Sequence, residues 1–167
     1  MLNPARLETE VTSSTPAAIR CTSSTTFSVR SRVAPVWAVT EGAGLFPNAD
    51  NLYLIGAVTR RRGEVVVLRV KPPTFPKDPS EYGATQVRYW SLNETNRNTS
   101  TPLGLRDDQF KVASDGFVYV AIGDKGIRRQ ARQRGYNFMP WRIRGQTGAV
   151  IYRNMVTDPS YAGSIDK

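Results

Sequence analysis

The chain has 167 residues, enough for one domain with a buried core and too few for two domains plus the irregular stretch at its start. It contains no histidine and one cysteine, Cys21, which excludes histidine-dependent acid–base or triad chemistry, an intrachain disulfide and a thiolate metal cluster from a single chain. The formal charge of +9, from 23 Lys and Arg against 14 Asp and Glu, invites an acidic partner such as nucleic acid or anionic lipid, although charge alone serves solubility equally well.

From Val11 to Ser31 the chain reads VTSSTPAAIRCTSSTTFSVRS, with Ser and Thr dominant and large apolar residues far apart. Residues 1–47 are therefore expected to form a poorly ordered N-terminal segment. After Glu10 this stretch is Arg-bearing and acid-free, but Glu8 and Glu10 break the pattern of an organelle transit peptide. The start of the chain shows no secretory signal, and no run approaches the roughly 18–20 apolar residues that cross a bilayer, so the expectation is a soluble protein of undetermined compartment. A short apolar patch over Val36 to Ala38, with Trp37, marks where order can begin, and residues 48–167 are read as the folded domain.

Leu52 to Thr59 alternates, with Leu52, Leu54 and Val58 on one side and Tyr53, Ile55 and Ala57 on the other, which fits a strand covered on both faces. Arg60-Arg61-Arg62-Gly63 reads as a basic turn, and Glu64 to Val70, with Val65, Val66, Val67 and Leu68 unbroken, as a second strand closing a hairpin on the first. Four prolines between Pro72 and Pro79 forbid helix and regular ladder alike and predict an extended connection. Gln86 to Leu92 resumes strand character and runs into a polar Asn/Thr/Ser loop. Asp115-Gly116 then reads as a hairpin turn between a short Gln109 to Val112 strand and a strong Phe117 to Ile122 strand. Asp124 to Arg134 is the best helix, with Asp124 as N-cap, although Gly126 costs it roughly 1 kcal/mol relative to Ala. Gly148 to Met155 supplies a last strand, and Asp158-Pro159 can open a last short helix. These elements predict a mainly β fold, an antiparallel β-sandwich or jelly roll with one or two short helices.

Asn51-Leu52-Tyr53-Leu54, Val66 to Pro76 (VVLRVKPPTFP), Val87 to Leu92 (VRYWSL), Asp115-Gly116-Phe117, Asn137 to Trp141 (NFMPW) and Ile151 to Met155 (IYRNM) follow one another in an order that resembles a family of uncharacterised, mostly exported bacterial proteins. The likeness covers about residues 48 to 165 and extends to the C-terminal jelly roll called domain of unknown function twelve-fourteen. It implies a fold and no activity. Family members resemble longer chains with an export signal, so this chain is expected to correspond to the C-terminal part of their architecture and to self-associate or meet another protein through apolar surface.

Few residues can carry chemistry. Lys125, Arg128, Arg129, Arg132, Arg134, Arg142 and Arg144 lie in one acid-free stretch interleaved with Tyr136, Phe138 and Trp141, and cations beside aromatics can grip phosphates and stack bases. A solvated helix face followed by core aromatics is the plainer reading, because no recognised nucleic-acid motif accompanies them. Asp107 and Asp108 adjoin, with Glu94 and Asp124 as the other acids nearby in sequence; paired carboxylates can hold calcium or divide acid and base roles, but Asp equally serves turns. Ser91, Ser114 and Ser160 have no visible base. Trp90, Trp141 and Tyr152 are candidate pocket aromatics, or simply core. Asn93-Glu94-Thr95 and Asn98-Thr99-Ser100 match the glycosylation acceptor pattern, which has meaning only on a eukaryotic secretory route. No catalytic residue, cofactor or metal is assigned. The chain is read as a non-enzymatic structural or binding module; the alternatives are a binder of an anionic polymer such as nucleic acid through residues 125–144, and a carboxylate-dependent enzyme acting on a glycan or small molecule.

Overall fold

The computed structural model describes residues 50–60, 63–96 and 100–161, together with the backbone of two short strands, β1 (Leu7–Glu8) and β2 (Trp37–Val39). The rest of the segment expected to be irregular, Cys21 with it, lies outside the described residues, as does Asn98-Thr99. The strands that follow are β3 (Asn51–Thr59), β4 (Val66–Val70), β5 (Val87–Thr95), β6 (Leu103–Arg106) and β7 (Val118–Gly123). Then come the helix α1 (Arg128–Gln133) and the strands β8 (Asn137–Pro140) and β9 (Thr147–Thr157). They form two sheets, one in the order β1-β4-β7-β8 and the other β2-β3-β9-β5-β6. All pairings are antiparallel except β7 with β8, which run parallel because α1 carries the chain back between them. The fold is a mainly β sandwich, as expected from the alternation.

Ladder partners share a face, and the registers Leu54–Tyr152–Leu92 and Gly56–Val150–Glu94 run across the larger sheet on the face turned inward. Val66, Leu68 and Val70 of β4 and Val118, Val120 and Ile122 of β7 meet them from the smaller sheet, with Trp90 and Met139 filling the same interior. Leu68, Leu92, Val120 and Met139 are completely buried, each contributing about 1.5–3 kcal/mol against exposure. A second, smaller cluster lies on the outer face of the smaller sheet, where Ala131 of α1 packs on Val65 and Ala121 and is flanked by Val67, Ile127, Tyr136 and Phe138.

Several expectations need correction. β3 and β4 do not pair: β3 lies between β2 and β9 and β4 between β1 and β7, so the turn after Arg60 crosses from one sheet to the other. Both strands carry an apolar face that must be covered, and facing each other across the interior buries both, which a two-stranded hairpin could not do. The outer face of β3 is only partly covered, with Ala57 and Thr59 exposed. No strand forms at Gln109 to Val112. Asp107–Gln109 is a 3-10 turn, and the Asp115-Gly116 turn closes locally through Ala113 N–H to Phe117 O at 2.8 Å, with Gly116 at φ 77°. Asp158-Pro159 makes a turn through Tyr161 in place of the expected helix start, the Asp158 carboxylate accepting from Ser160 N–H at 2.7 Å.

Candidate functional site

Ile127 and Ala131, one turn apart, turn inward onto the smaller sheet, which leaves the intervening arginines on the outside. Lys125 lies in a 3-10 turn leading into α1. The helix ends at Gly135, whose φ of 76° lets Tyr136 N–H reach back to Ala131 O at 3.0 Å and Gly135 N–H to Arg132 O at 3.0 Å. Chain reversal there returns the backbone to β8, so Tyr136 and Phe138 lie beside the cations of the helix.

Asn137 adds a cation from elsewhere in the sequence. Its carboxamide accepts from Lys111 N–H at 2.8 Å and donates to Lys111 O at 2.9 Å and Tyr119 O at 3.1 Å, pinning the 110–113 stretch against the edge strand. The outcome is a cleft of about 810 Å³ lined by Lys111, Lys125, Arg128, Arg132 and Arg142, floored by Tyr136 and Phe138, and reaching Leu105 of β6. Among the described residues no carboxylate lines it. Tyr136 is held by a stack on Tyr119, with centroids 5.3 Å apart and planes 15° from parallel. Tyr119 in turn donates to Asp115 at 2.7 Å and accepts from Arg69 at 3.1 Å. That hydroxyl lowers the Asp115 carboxyl below its ordinary range, with the Phe117 N–H adding to the effect.

Of the cations singled out from sequence, the cleft gathers Lys125, Arg128, Arg132 and Arg142. Arg129 lines a neighbouring depression that shares Lys125, Arg128 and Arg132 with the cleft, and Arg134 and Arg144 are exposed and line neither. Lys111 was not legible as a member, since only the Asn137 clamp brings it there. The aromatic candidates go elsewhere. Trp90 is buried and stacked on Phe110 at 4.4 Å, Tyr152 is buried beside it at 5.9 Å, and Trp141 donates to Gly145 O at 3.0 Å beneath the Arg60 guanidinium. Burial raises the Tyr152 phenol far above its ordinary range.

Behind the cleft lies a buried polar cluster. Glu94 is completely buried, although the alternation Trp90, Leu92, Glu94 already carries it inward, past the point where the sequence turns polar. Its Oε2 accepts from Arg142 N–H at 2.9 Å, and its Oε1 has no hydrogen-bond partner among the described residues. Burial raises its pKa to about 7, against the opposing pull of that N–H and of the Arg60 and Arg142 charges. Arg60 is 4% exposed, not a solvated turn residue; it donates to Glu64 O at 2.9 Å and pairs with Asp124. Asp124 also accepts from Gly63 N–H at 2.8 Å, so its carboxylate ties the inter-sheet crossing and makes no side-chain cap on the turn that follows. Asp107 and Asp108 are likewise structural. Asp107 accepts from Trp90 N–H at 3.3 Å and Asp108 N–H at 2.8 Å, while Asp108 pairs with Arg106 at 3.1 Å on the surface.

No family model matches the chain, and no match was found among curated proteins. Among solved structures, an uncharacterised protein from Burkholderia cenocepacia superposes with a TM-score of 0.52 at 13% identity, over 72% of this chain and 31% of that one. The VPA0106 protein from Vibrio parahaemolyticus superposes with a TM-score of 0.46 at 15% identity, over 75% of this chain and 31% of that one. The chain thus spans under a third of the length of either protein, and what it shares with the first is the fold.

Proposed function

We propose that this domain is a non-catalytic binding module whose ligand is a polyanion, a phosphate-bearing polymer such as a single-stranded nucleic acid, seated in the cleft between α1, β8 and the 110–113 stretch. The observation that carries this is the lining: among the described residues, five cations and no carboxylate around one concave surface, with Tyr136 and Phe138 on its floor. Cations crowded together repel one another in the free protein, and an array of phosphates relieves that repulsion while releasing condensed counterions. The rings offer π-faces against which bases can stack. The resemblance of residues 48–165 to the exported bacterial family enters here as a proposed kinship, which assigns no activity and accords with a module of a longer architecture.

The test is binding of a fluorescent oligothymidylate at several salt concentrations, with the wild-type chain and an Arg128→Ala/Arg132→Ala/Arg142→Ala variant. With five phosphates neutralised, log K should fall with log[salt] at a slope of about −3.5, and the triple variant should flatten this to about −1.4. Affinity that ignores salt, or a triple variant that binds like the wild type, defeats the proposal.

A further inference from the structure

At the opposite end of β5 from Glu94, its ladder with β9 pairs Val87 with Thr157 and Tyr89 with Met155 and makes no pair between Arg88 and Val156. Val156 there has φ 46°, a left-handed conformation that a β-branched side chain adopts only under strain, and its N–H is committed to Asp50 O at 2.8 Å. The strained residue is also 47% exposed, and Tyr82 beside it is 52% exposed; they are two of the three exposed large apolar side chains among the described residues. Both line a pocket of about 310 Å³ walled further by Pro76 and Pro159.

The polar groups of this pocket are few and directed. The Arg88 guanidinium lies over the Tyr82 ring, 4.7 Å from its centroid, and makes no ion pair among the described residues. Thr157 Oγ1 is buried with no hydrogen-bond partner among the described residues. The carboxylate in the wall, Asp158, is engaged by Ser160 N–H at 2.7 Å and by the Ser160 hydroxyl at 2.6 Å. An unpaired guanidinium at the mouth, apolar and aromatic walls and one orphaned hydroxyl define a ligand by complementarity: an acid group on an apolar ring. A volume of about 310 Å³ lies at the lower end of small-molecule sites and admits a single ring with its acid, not a polymer.

We infer that this pocket is a second binding site, distinct from the cationic cleft, for a small aromatic carboxylate whose acid pairs with Arg88 and whose ring lies against Tyr82, Val156 and the two prolines. The inference is independent of the polyanion reading. It is tested by titrating the full chain with phenylacetate, with benzyl alcohol and acetate as probes lacking one half of the ligand, following amide shifts by NMR. Phenylacetate should shift the amides of Tyr82, Arg88, Val156 and Thr157 and bind more tightly than either partial probe. Arg88→Leu should raise its Kd at least about tenfold, the loss of one charge-assisted contact, while leaving benzyl alcohol unchanged. Both Arg88 and Tyr82 are exposed, so their variants keep the core intact. No shifts at these residues, shifts confined to the cleft around α1, or an affinity for phenylacetate that Arg88→Leu leaves unaltered would overturn the assignment.

Discussion

Glu94→Gln should stabilise the protein at alkaline pH and leave it unchanged in acid. Glu94 is completely buried, and its pKa stands at about 7 against an ordinary 4.5. Below about pH 4.5 the carboxyl is protonated in folded and unfolded chains alike, and burial of this group costs nothing through ionisation. Between pH 4.5 and 7 the unfolded chain releases the proton while the folded chain retains it, so the folded state binds more protons and stability falls as pH rises. Above pH 7 both are ionised and the loss is complete, amounting to about 3 kcal/mol for a displacement of this size. Gln keeps an oxygen for the Arg142 N–H and carries no charge to desolvate. Urea denaturation of both proteins at pH 4, 5, 6, 7 and 8 should therefore give curves that nearly coincide at pH 4, differ by about 1 kcal/mol at pH 5 and separate by up to about 3 kcal/mol at pH 8, Gln above Glu. A separation that stays constant with pH, or one that widens toward acid, would refute the reasoning.

Leu68→Ala, at a completely buried position between the sheets, should cost about 2–5 kcal/mol in urea unfolding with the m-value retained. Asp124→Asn removes the carboxylate that pairs with buried Arg60 and accepts from Gly63 N–H; because the Asp124 side chain is 43% exposed, the loss should be about 1–3 kcal/mol, less than a wholly buried pair would show. Gly135→Ala forces a Cβ into the left-handed conformation that ends α1, and should cost about 1–2 kcal/mol by thermal or urea unfolding while weakening oligothymidylate binding, since Arg128 and Arg132 are held by that helix.

The sequence carried the strands with strong alternation, because burial on one face imposes a period of two wherever a strand meets the core. β3, β7 and β9 lie where the pattern put them, β5 does so but runs on through Asn93, Glu94 and Thr95, where a polar loop was expected, and Ile127 and Ala131 sit at helical spacing under the cations. Pairing was not legible. The short connection from Arg60 to Gly63 suits a hairpin as well as a crossing between sheets, and only the need to cover the second apolar face of each strand decides between them. Three edge strands escaped: β1 is two residues in the segment expected to be irregular, β6 is four residues of Leu-Gly-Leu-Arg with little periodicity, and β8 ends in Pro140 and pairs with β7. Four of the seven predicted cations share the cleft, since Lys125, Arg128 and Arg132 follow helix spacing and the return through β8 brings Arg142 near. Lys111 needed three dimensions, since only the Asn137 clamp places it, whereas Glu94 continues the period of two set by Trp90 and Leu92 and was obscured by the polar run around it.

Backbone amide mapping during titration with oligothymidylate addresses the polyanion site most directly. The account predicts that shifts concentrate at Lys111, Lys125, Arg128, Arg132, Tyr136, Phe138 and Arg142, that exposed Arg144 stays still, and that added salt reverses them together. Shifts spread evenly over the basic surface, or gathered at Arg144 with the cleft silent, would contradict it.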